Sequence, residues 1–204
     1  SDDTDAVERI KIQYGTSMVY PVASMGAHVS AIPNHQVKRM TDVDFRAHVA
    51  YFGAFGYELD PNAMTEEEQE KVKKQIEFFK KYRKLIQFGT FYRLEDPFEG
   101  DGNAAWMCVS PDKKQAVAVY YKVKATPNPK LKKLPLTGLD PDKRYYCSRN
   151  DRTYYGDELM NMGLLLDMEF TGSSARKDSV TKKNSGTDAG DFTSQMYVFE
   201  CVDN

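Results

Sequence analysis

Apolar positions recur at helical spacing at the front of the chain. Ala6, Val7, Ile10 and Tyr14 alternate with Glu8, Lys11 and Gln13, which predicts an amphipathic helix ending at Gly15 as its C-cap. From Thr16 to Ser30 the pattern becomes a nearly continuous apolar run of Met18, Val19, Tyr20, Val22, Ala23, Met25 and Val29. Its β-branched residues suit a buried parallel strand. Pro33 and Asn34 mark a loop. Thr41-Asp42-Val43-Asp44 is a cap signal for a short helix through Arg46 and Val49, and Tyr51 to Asp60 reads as a second buried strand whose glycines admit close backbone neighbours. Thr65 to Gln87 is the clearest helix. Thr65 and Glu68 form a capping box, acids crowd its first turn and bases its last, and Val72, Ile76, Phe79 and Ile86 form its stripe, with Tyr82 and Leu85 beside it.

Residues 1 to 89 therefore read helix, strand, helix, strand, helix, the grammar of a parallel βα repeat. Two strands cannot make a stable parallel sheet covered on both faces, and the chain opens without Met on a charged cluster; both suggest an open-ended fragment. From about residue 91 the grammar changes. Phe91 to Asn103 is a Pro/Gly/Asp-rich connection. Ala104–Ser110, Gln115–Lys124, Arg144–Cys147, Leu164–Phe170 and Gln195–Val202 are strand-like, with turn signals between them. Val117, Val119, Tyr121 and Val123 share one face of a partial alternation. An antiparallel β domain, a small sandwich, is expected, with Ser173 to Asp188 a polar mobile loop.

The composition narrows the function classes. With 28 Lys plus Arg against 30 Asp plus Glu, the net charge of −2 does not suit nucleic acid as a partner. No apolar run reaches the roughly 18 residues a membrane helix needs. Cys108, Cys147 and Cys201 are odd in number and far apart, so they read as buried free thiols of a reducing, cytoplasmic compartment. His28, His35 and His48 have spacings that fit no compact ligand motif, so neither a metal nor another cofactor is expected.

The candidate chemistry is acidic. Asp2, Asp3 and Asp5 crowd the start of the first predicted helix. Capping explains them, with Asp5 at the N-cap and Glu8 three residues on; so would catalysis at a strand-to-helix junction of a barrel. Arg9 is placed to pair with one of them. Glu58 and Asp60, at the second strand's end, read either as site residues or as the polar start of a loop.

Several stretches together resemble one family. Ser1-Asp2-Asp3-Thr4-Asp5, Ile12-Gln13-Tyr14-Gly15-Thr16-Ser17, Met25-Gly26-Ala27-His28-Val29-Ser30, Pro33-Asn34-His35-Gln36 and Phe55-Gly56-Tyr57-Glu58-Leu59-Asp60 are similar to the C-terminal part of the α-galactosidases of glycoside hydrolase family 36. Tyr92-Arg93-Leu94, Ala105-Trp106-Met107, Tyr155-Gly156-Asp157-Glu158-Leu159-Met160 and Asp191-Phe192 continue the likeness in register over essentially the whole chain.

The resemblance implies α/β plus all-β architecture. Residues 1–90 would be the C-terminal part of a (β/α)8 catalytic barrel, from the end of strand six to helix eight, and residues 91–204 the terminal antiparallel β domain. It implies a retaining hydrolase of melibiose- and raffinose-type galacto-oligosaccharides. Asp2 would be its general acid/base, with Asp3 and Asp5 left to cap the helix or order the loop. The nucleophilic aspartate would sit on a barrel segment outside this chain, as would most of the sugar pocket, whose residues here stay unassigned. The chain alone would then be inactive, and the full-length protein a homo-oligomer, a tetramer as in bacterial relatives. Two other classes stay open: a galactosyl transferase of the raffinose-synthase type, and a non-catalytic piece that binds glycan or braces the barrel.

Overall fold

The computed structural model describes residues 2–127, 129–167 and 190–203. The expected loop from Ser173 to Asp188 lies outside them. The helical half consists of α1 (Ala6–Thr16), β1 (Gly26–Ser30), α2 (Val43–Ala50), β2 (Ala54–Glu58) and α3 (Glu66–Phe88). β1 and β2 are parallel, with Gly26 opposite Ala54 and Ser30 opposite Glu58. α2 is the crossover between them, started by Asp42, whose carboxylate accepts from the Asp44 amide at 2.7 Å. α3 opens on the predicted capping box: Thr65 Oγ1 accepts from the Glu68 amide at 3.2 Å, and Glu68 Oε2 accepts from the Thr65 amide at 3.0 Å.

The structure corrects several expectations. α1 runs through Gly15 to Thr16 and is capped by Ser17, so Gly15 is not its C-cap. The apolar run that follows is not one strand. Met18, Val19 and Tyr20 donate their amides back to Gly15 and Thr16 carbonyls, Pro21 has no N–H, and Val22–Ser24 form a 3-10 turn in which Ser24 and Met25 donate to the Pro21 and Val22 carbonyls, so the chain enters a ladder only at Gly26. Met18, Val19 and Tyr20 are accordingly exposed. β2 is likewise shorter than the Tyr51–Asp60 run, because Tyr51 to Gly53 turn out of α2. Gly53 is where a close neighbour is tolerated: a Cβ there would lie 2.7 Å from both the Ala27 Cβ and the Met25 carbonyl oxygen.

The rest of the chain is dominated by one antiparallel sheet. Its strands are β3 (Thr90–Glu95), β4 (Ala104–Val109), β5 (Gln115–Lys122), β7 (Arg144–Cys147), β8 (Arg152–Tyr155) and β10 (Thr193–Cys201). They lie in the order β3-β4-β5-β10-β7-β8. β6 (Lys133–Leu134) and β9 (Leu164–Leu165) form a separate pair, and α4 (Gly156–Asn161) follows β8. β3 occupies part of the stretch read as a connection. Its pairing with β4 shifts register between Arg93 and Glu95, and the turn-forming residues Pro97, Gly100 and Gly102 come only afterwards.

The large sheet is covered on both faces. Trp106, Cys108, Val117, Val119, Tyr121 and Val198 join Ile10, Phe45, Phe52 and Ile86 of the helical half in one core. Met107, Ala116, Ala118, Tyr145, Tyr197 and Phe199 pack with Leu134, Leu136, Leu159 and Leu164 in a second. Double coverage explains why the alternation in β5 is only partial: both faces are apolar, and every residue of β4 is buried. Across the first core the Tyr121 hydroxyl donates to the His48 carbonyl at 2.7 Å, and His48 Nδ1 lies 2.8 Å from Ser194 Oγ.

Candidate functional site

The segment from Asp2 to Asp5 runs into α1 and is held from both sides. Asp5 is the N-cap, and its carboxylate accepts from the Glu8 amide at 3.0 Å. It is buried, 2 % exposed, and forms an ion pair with Arg39. A buried carboxylate is costly unless paired and hydrogen-bonded, and Asp5 is both. Asp3 accepts from the Asp5 amide at 2.8 Å, so it too orders the turn. Arg9 lies within the electrostatic reach of Asp3. Its guanidinium donates to the Gly26 carbonyl at 2.5 Å and to Gln13 Oε1 at 3.4 Å, tying α1 to the start of β1. Burial pulls its pKa below the ordinary arginine value, and the nearby Asp3 charge opposes that.

The other side of the grip is the loop after β1, which leaves the strand through a cis Ile32–Pro33 bond. Asn34 is buried. Its side-chain oxygen accepts from the amides of Gln36 at 2.9 Å and Val37 at 3.1 Å, and its side-chain nitrogen donates to Thr4 Oγ1 at 3.0 Å. Ser30 Oγ donates to the Thr4 carbonyl at 2.6 Å. Gln36 Oε1 accepts from the Thr4 amide at 3.0 Å, and Gln36 Nε2 donates to the Asp2 carbonyl at 3.2 Å. Arg39, further along, reaches Asp5 and lies 5.2 Å from the centre of the Phe192 ring.

These fixed groups leave the Asp2 side chain exposed at a cleft of about 680 Å3, lined by Asp2, Asp3, Thr4, Arg9, Tyr20, Met25, His28 and Glu58 among others. His28 lies on β1 and Glu58 at the end of β2. They approach to 3.9 Å with side chains 50 % and 63 % exposed, so water screens the pair heavily. Gly56, opposite His28, leaves room for the imidazole: a Cβ there would meet His28 Cδ2 at 2.9 Å. Of the two acids at the second strand's end, Glu58 therefore lines the cleft. Asp60 instead accepts from the Asn62 amide at 2.9 Å and starts a turn.

The histidines lie in separate surroundings: His28 in the cleft, His35 with Nδ1 at 3.4 Å from Thr4 Oγ1, and His48 against Ser194. Among the described residues no three His, Cys, Asp or Glu side chains converge as metal ligands. Cys108 and Cys147 are buried, and burial pushes both thiols up, away from the reactive thiolate. No described helix is long and apolar enough to cross a membrane.

Spacing arguments do not find Arg39, because its bond to Asp5 joins two distant parts of the chain. Asn34 and Gln36 carry a faint local signal, an Asn after Pro that can bond the amide two residues on. Nothing local signals that Gln36 reaches Asp2 and Thr4.

The family model described as Melibiase matches residues 1–89, and that of the glycosyl hydrolase family 36 C-terminal domain matches residues 103–199. The chain is 54% identical over 166 residues to alpha-galactosidase AgaA of Geobacillus stearothermophilus, covering 81% of this chain and 22% of that protein. It is 42% identical over 202 residues to alpha-galactosidase Mel36A of Lactobacillus acidophilus, covering 99% of this chain and 25% of that protein. A crystal structure of a variant AgaA in complex with raffinose superposes with a TM-score of 0.87 at 46% identity, over 99% of this chain and 25% of that one. A further AgaA variant, in complex with stachyose, superposes equally well. The chain thus spans about a quarter of the length of the relatives it matches.

Proposed function

We propose, because this chain belongs to glycoside hydrolase family 36, that it is the part of a retaining α-galactosidase that supplies the acid/base carboxyl, Asp2. Residues 1–90 are then the closing βα units of a (β/α)8 barrel, and residues 91–204 its terminal β domain. The observation that carries the reading is the grip on the segment before α1. Every carboxylate in it except Asp2 is engaged in holding the backbone. Asp3 accepts from the Asp5 amide, and Asp5 caps α1 and pairs with Arg39. Asp2 is held by its backbone, and its side chain is left facing the cleft. The parallel β1–β2 pair beside it supports the barrel assignment, since parallel strands joined by a crossover helix are the unit of that fold.

In the reaction, Asp2 donates a proton to the glycosidic oxygen as the sugar–oxygen bond breaks. A second carboxylate attacks the anomeric carbon, forming a glycosyl-enzyme. Asp2, now ionised, then takes a proton from the water that releases galactose. The two carboxyl groups of such a pair stand about 5 Å apart. In this reading neither acid beside it in the cleft is the nucleophile: Asp3 orders the turn through the Asp5 amide, and Glu58 sits beside His28. That partner comes from another part of the full-length enzyme, and this chain alone hydrolyses nothing. Raffinose and stachyose, the ligands of the AgaA variants, support terminal α-galactosyl groups of oligosaccharides as the substrate class of the full-length enzyme.

Hydrolysis of an aryl α-galactoside by the full-length enzyme tests this. Asp2→Ala should lower turnover by about 10²–10⁴-fold, the usual worth of a general acid/base. Azide should restore product formation as the galactosyl azide, because azide attacks the glycosyl-enzyme without a base. Near-normal activity in Asp2→Ala would show that the Asp2 carboxyl is not the acid/base.

A further inference from the structure

Gln36 makes an unusual double contact. Its side-chain amide accepts from the Thr4 N–H at 3.0 Å and donates to the Asp2 carbonyl at 3.2 Å. Those two backbone groups flank Asp3. One residue of a parallel strand makes the same pair of bonds with its neighbour, giving its N–H to the carbonyl on one side and accepting from the N–H on the other. Gln36 thus stands in for a peptide unit of a strand that is not there. It is the group that reaches past Asp3 to fix the backbone of Asp2 itself.

The loop is built to hold this amide in place. Asn34 is 3 % exposed, and its oxygen accepts from the Gln36 amide at 2.9 Å, which sets the direction in which the Gln36 side chain leaves the loop. Asn34 Nδ2 and Gln36 Oε1 both bond Thr4 Oγ1, at 3.0 and 3.3 Å. Thr4 is therefore fixed through its amide, carbonyl and hydroxyl, whereas Gln36 is the polar contact given to the Asp2 carbonyl. Gln36 itself lies on the surface and contributes nothing to the apolar cores.

From this geometry, and resting on the reading of Asp2 as the acid/base, we infer that Gln36 is a positioning residue. It does not touch the sugar. It holds the Asp2 backbone so that the carboxyl meets the glycosidic oxygen. Removing the bond leaves a carboxyl that is present but misplaced, and a displacement of about 1 Å at a reacting group can cost about 10²-fold in rate. The loss falls on proton transfer, so it depends on how much help the leaving group needs.

The test uses the full-length enzyme with Gln36→Met, which keeps the length and removes all three side-chain bonds. kcat/KM is measured for raffinose, whose leaving alkoxide must be protonated, and for a dinitrophenyl α-galactoside, whose leaving group departs unaided. kcat/KM covers the steps up to glycosyl-enzyme formation, so only the first substrate samples Asp2 as an acid there. The expected result is a loss of about 10–100-fold for raffinose and less than about 3-fold for the dinitrophenyl galactoside, with the melting temperature unmoved. Azide should raise kcat for the dinitrophenyl substrate, because deglycosylation still needs Asp2 as a base. Gln36→Glu keeps the acceptor for Thr4 and loses the donor to Asp2, and should reproduce the selective raffinose loss. Equal losses on both substrates, or no loss in either variant, would overturn the inference. Asp2→Ala is run beside them. If it is azide-rescued while the Gln36 variants are normal, only the positioning role fails; if it is itself normal, the assignment of Asp2 fails and this inference with it.

Discussion

Replacing Asp5 with alanine should unfold the start of the chain at a cost that its two separate interactions predict. The first is the N-cap bond to the Glu8 amide at 3.0 Å, and losing such a cap costs about 1 kcal/mol. The second is the ion pair with Arg39. Removing one partner of a fully buried pair costs about 3–5 kcal/mol. This pair is asymmetric: the Asp5 side chain is 2% exposed but that of Arg39 is 24% exposed, and Arg39 keeps Glu8 at 3.8 Å and the face of Phe192. A discount to about 2 kcal/mol is appropriate, giving a total of about 3 kcal/mol for Asp5→Ala. Asp5→Asn keeps a capping oxygen and loses the charge, so it should cost only about 2 kcal/mol. Urea unfolding followed by tryptophan fluorescence measures both. Trp106 is the chain's single tryptophan, buried among Phe52, Phe91 and Tyr121, in the same core as Ala6, Val7 and Ile10 of α1. A loss below about 0.5 kcal/mol for Asp5→Ala, or equal losses for the two variants, would refute the division into cap and ion pair.

Other predictions follow from the same packing. Burial pushes His48 down to about 4, partly opposed by Asp44, so between about pH 6.5 and 4 the unfolded chain binds a proton that the folded chain does not. Stability should therefore fall as the pH drops through that window, by up to about 3 kcal/mol at 1.36 kcal/mol per pKa unit, and His48→Gln should flatten the slope of unfolding free energy against pH. Gly53→Ala should cost about 1–3 kcal/mol in urea unfolding, because its Cβ would meet Ala27 and the Met25 carbonyl at 2.7 Å. Tyr121→Phe should cost about 1 kcal/mol by leaving the His48 carbonyl without its 2.7 Å donor.

The sequence reveals the elements whose cause is local. The capping box of α3, the Asp42 cap of α2 and the strands β4, β5 and β7 can all be read from neighbours a few residues apart. It misleads where tertiary context decides. The apolar run from Met18 looks like a strand, yet its amides are taken by the end of α1. β3 is hidden beside a turn rich in Pro and Gly, because what makes it a strand is β4, several residues further on. The α3 stripe omits Gln75, which is 5 % exposed although polar, because its partners Asp44 and Tyr57 lie on other elements. The site divides the same way. The acids before α1 are visible as a cluster, but which of them is occupied and which is free depends on Arg39 and on the Asn34–Gln36 loop, both remote in sequence.

That division bears on how the site keeps its shape. A carboxyl that must give and then take a proton needs a fixed position and a side chain free of internal partners. A cap cannot meet the second condition, since capping consumes the carboxylate oxygens. Here the roles are separated along four residues. Asp5 and Asp3 spend their oxygens on the backbone, Thr4 is bonded through three groups, and the resulting rigidity is passed to Asp2 through its main chain, not its side chain. The helix end is thus an anchor for the carboxyl beside it, and a substitution that loosens the anchor should disturb the placement of Asp2 together with the stability of the chain's start.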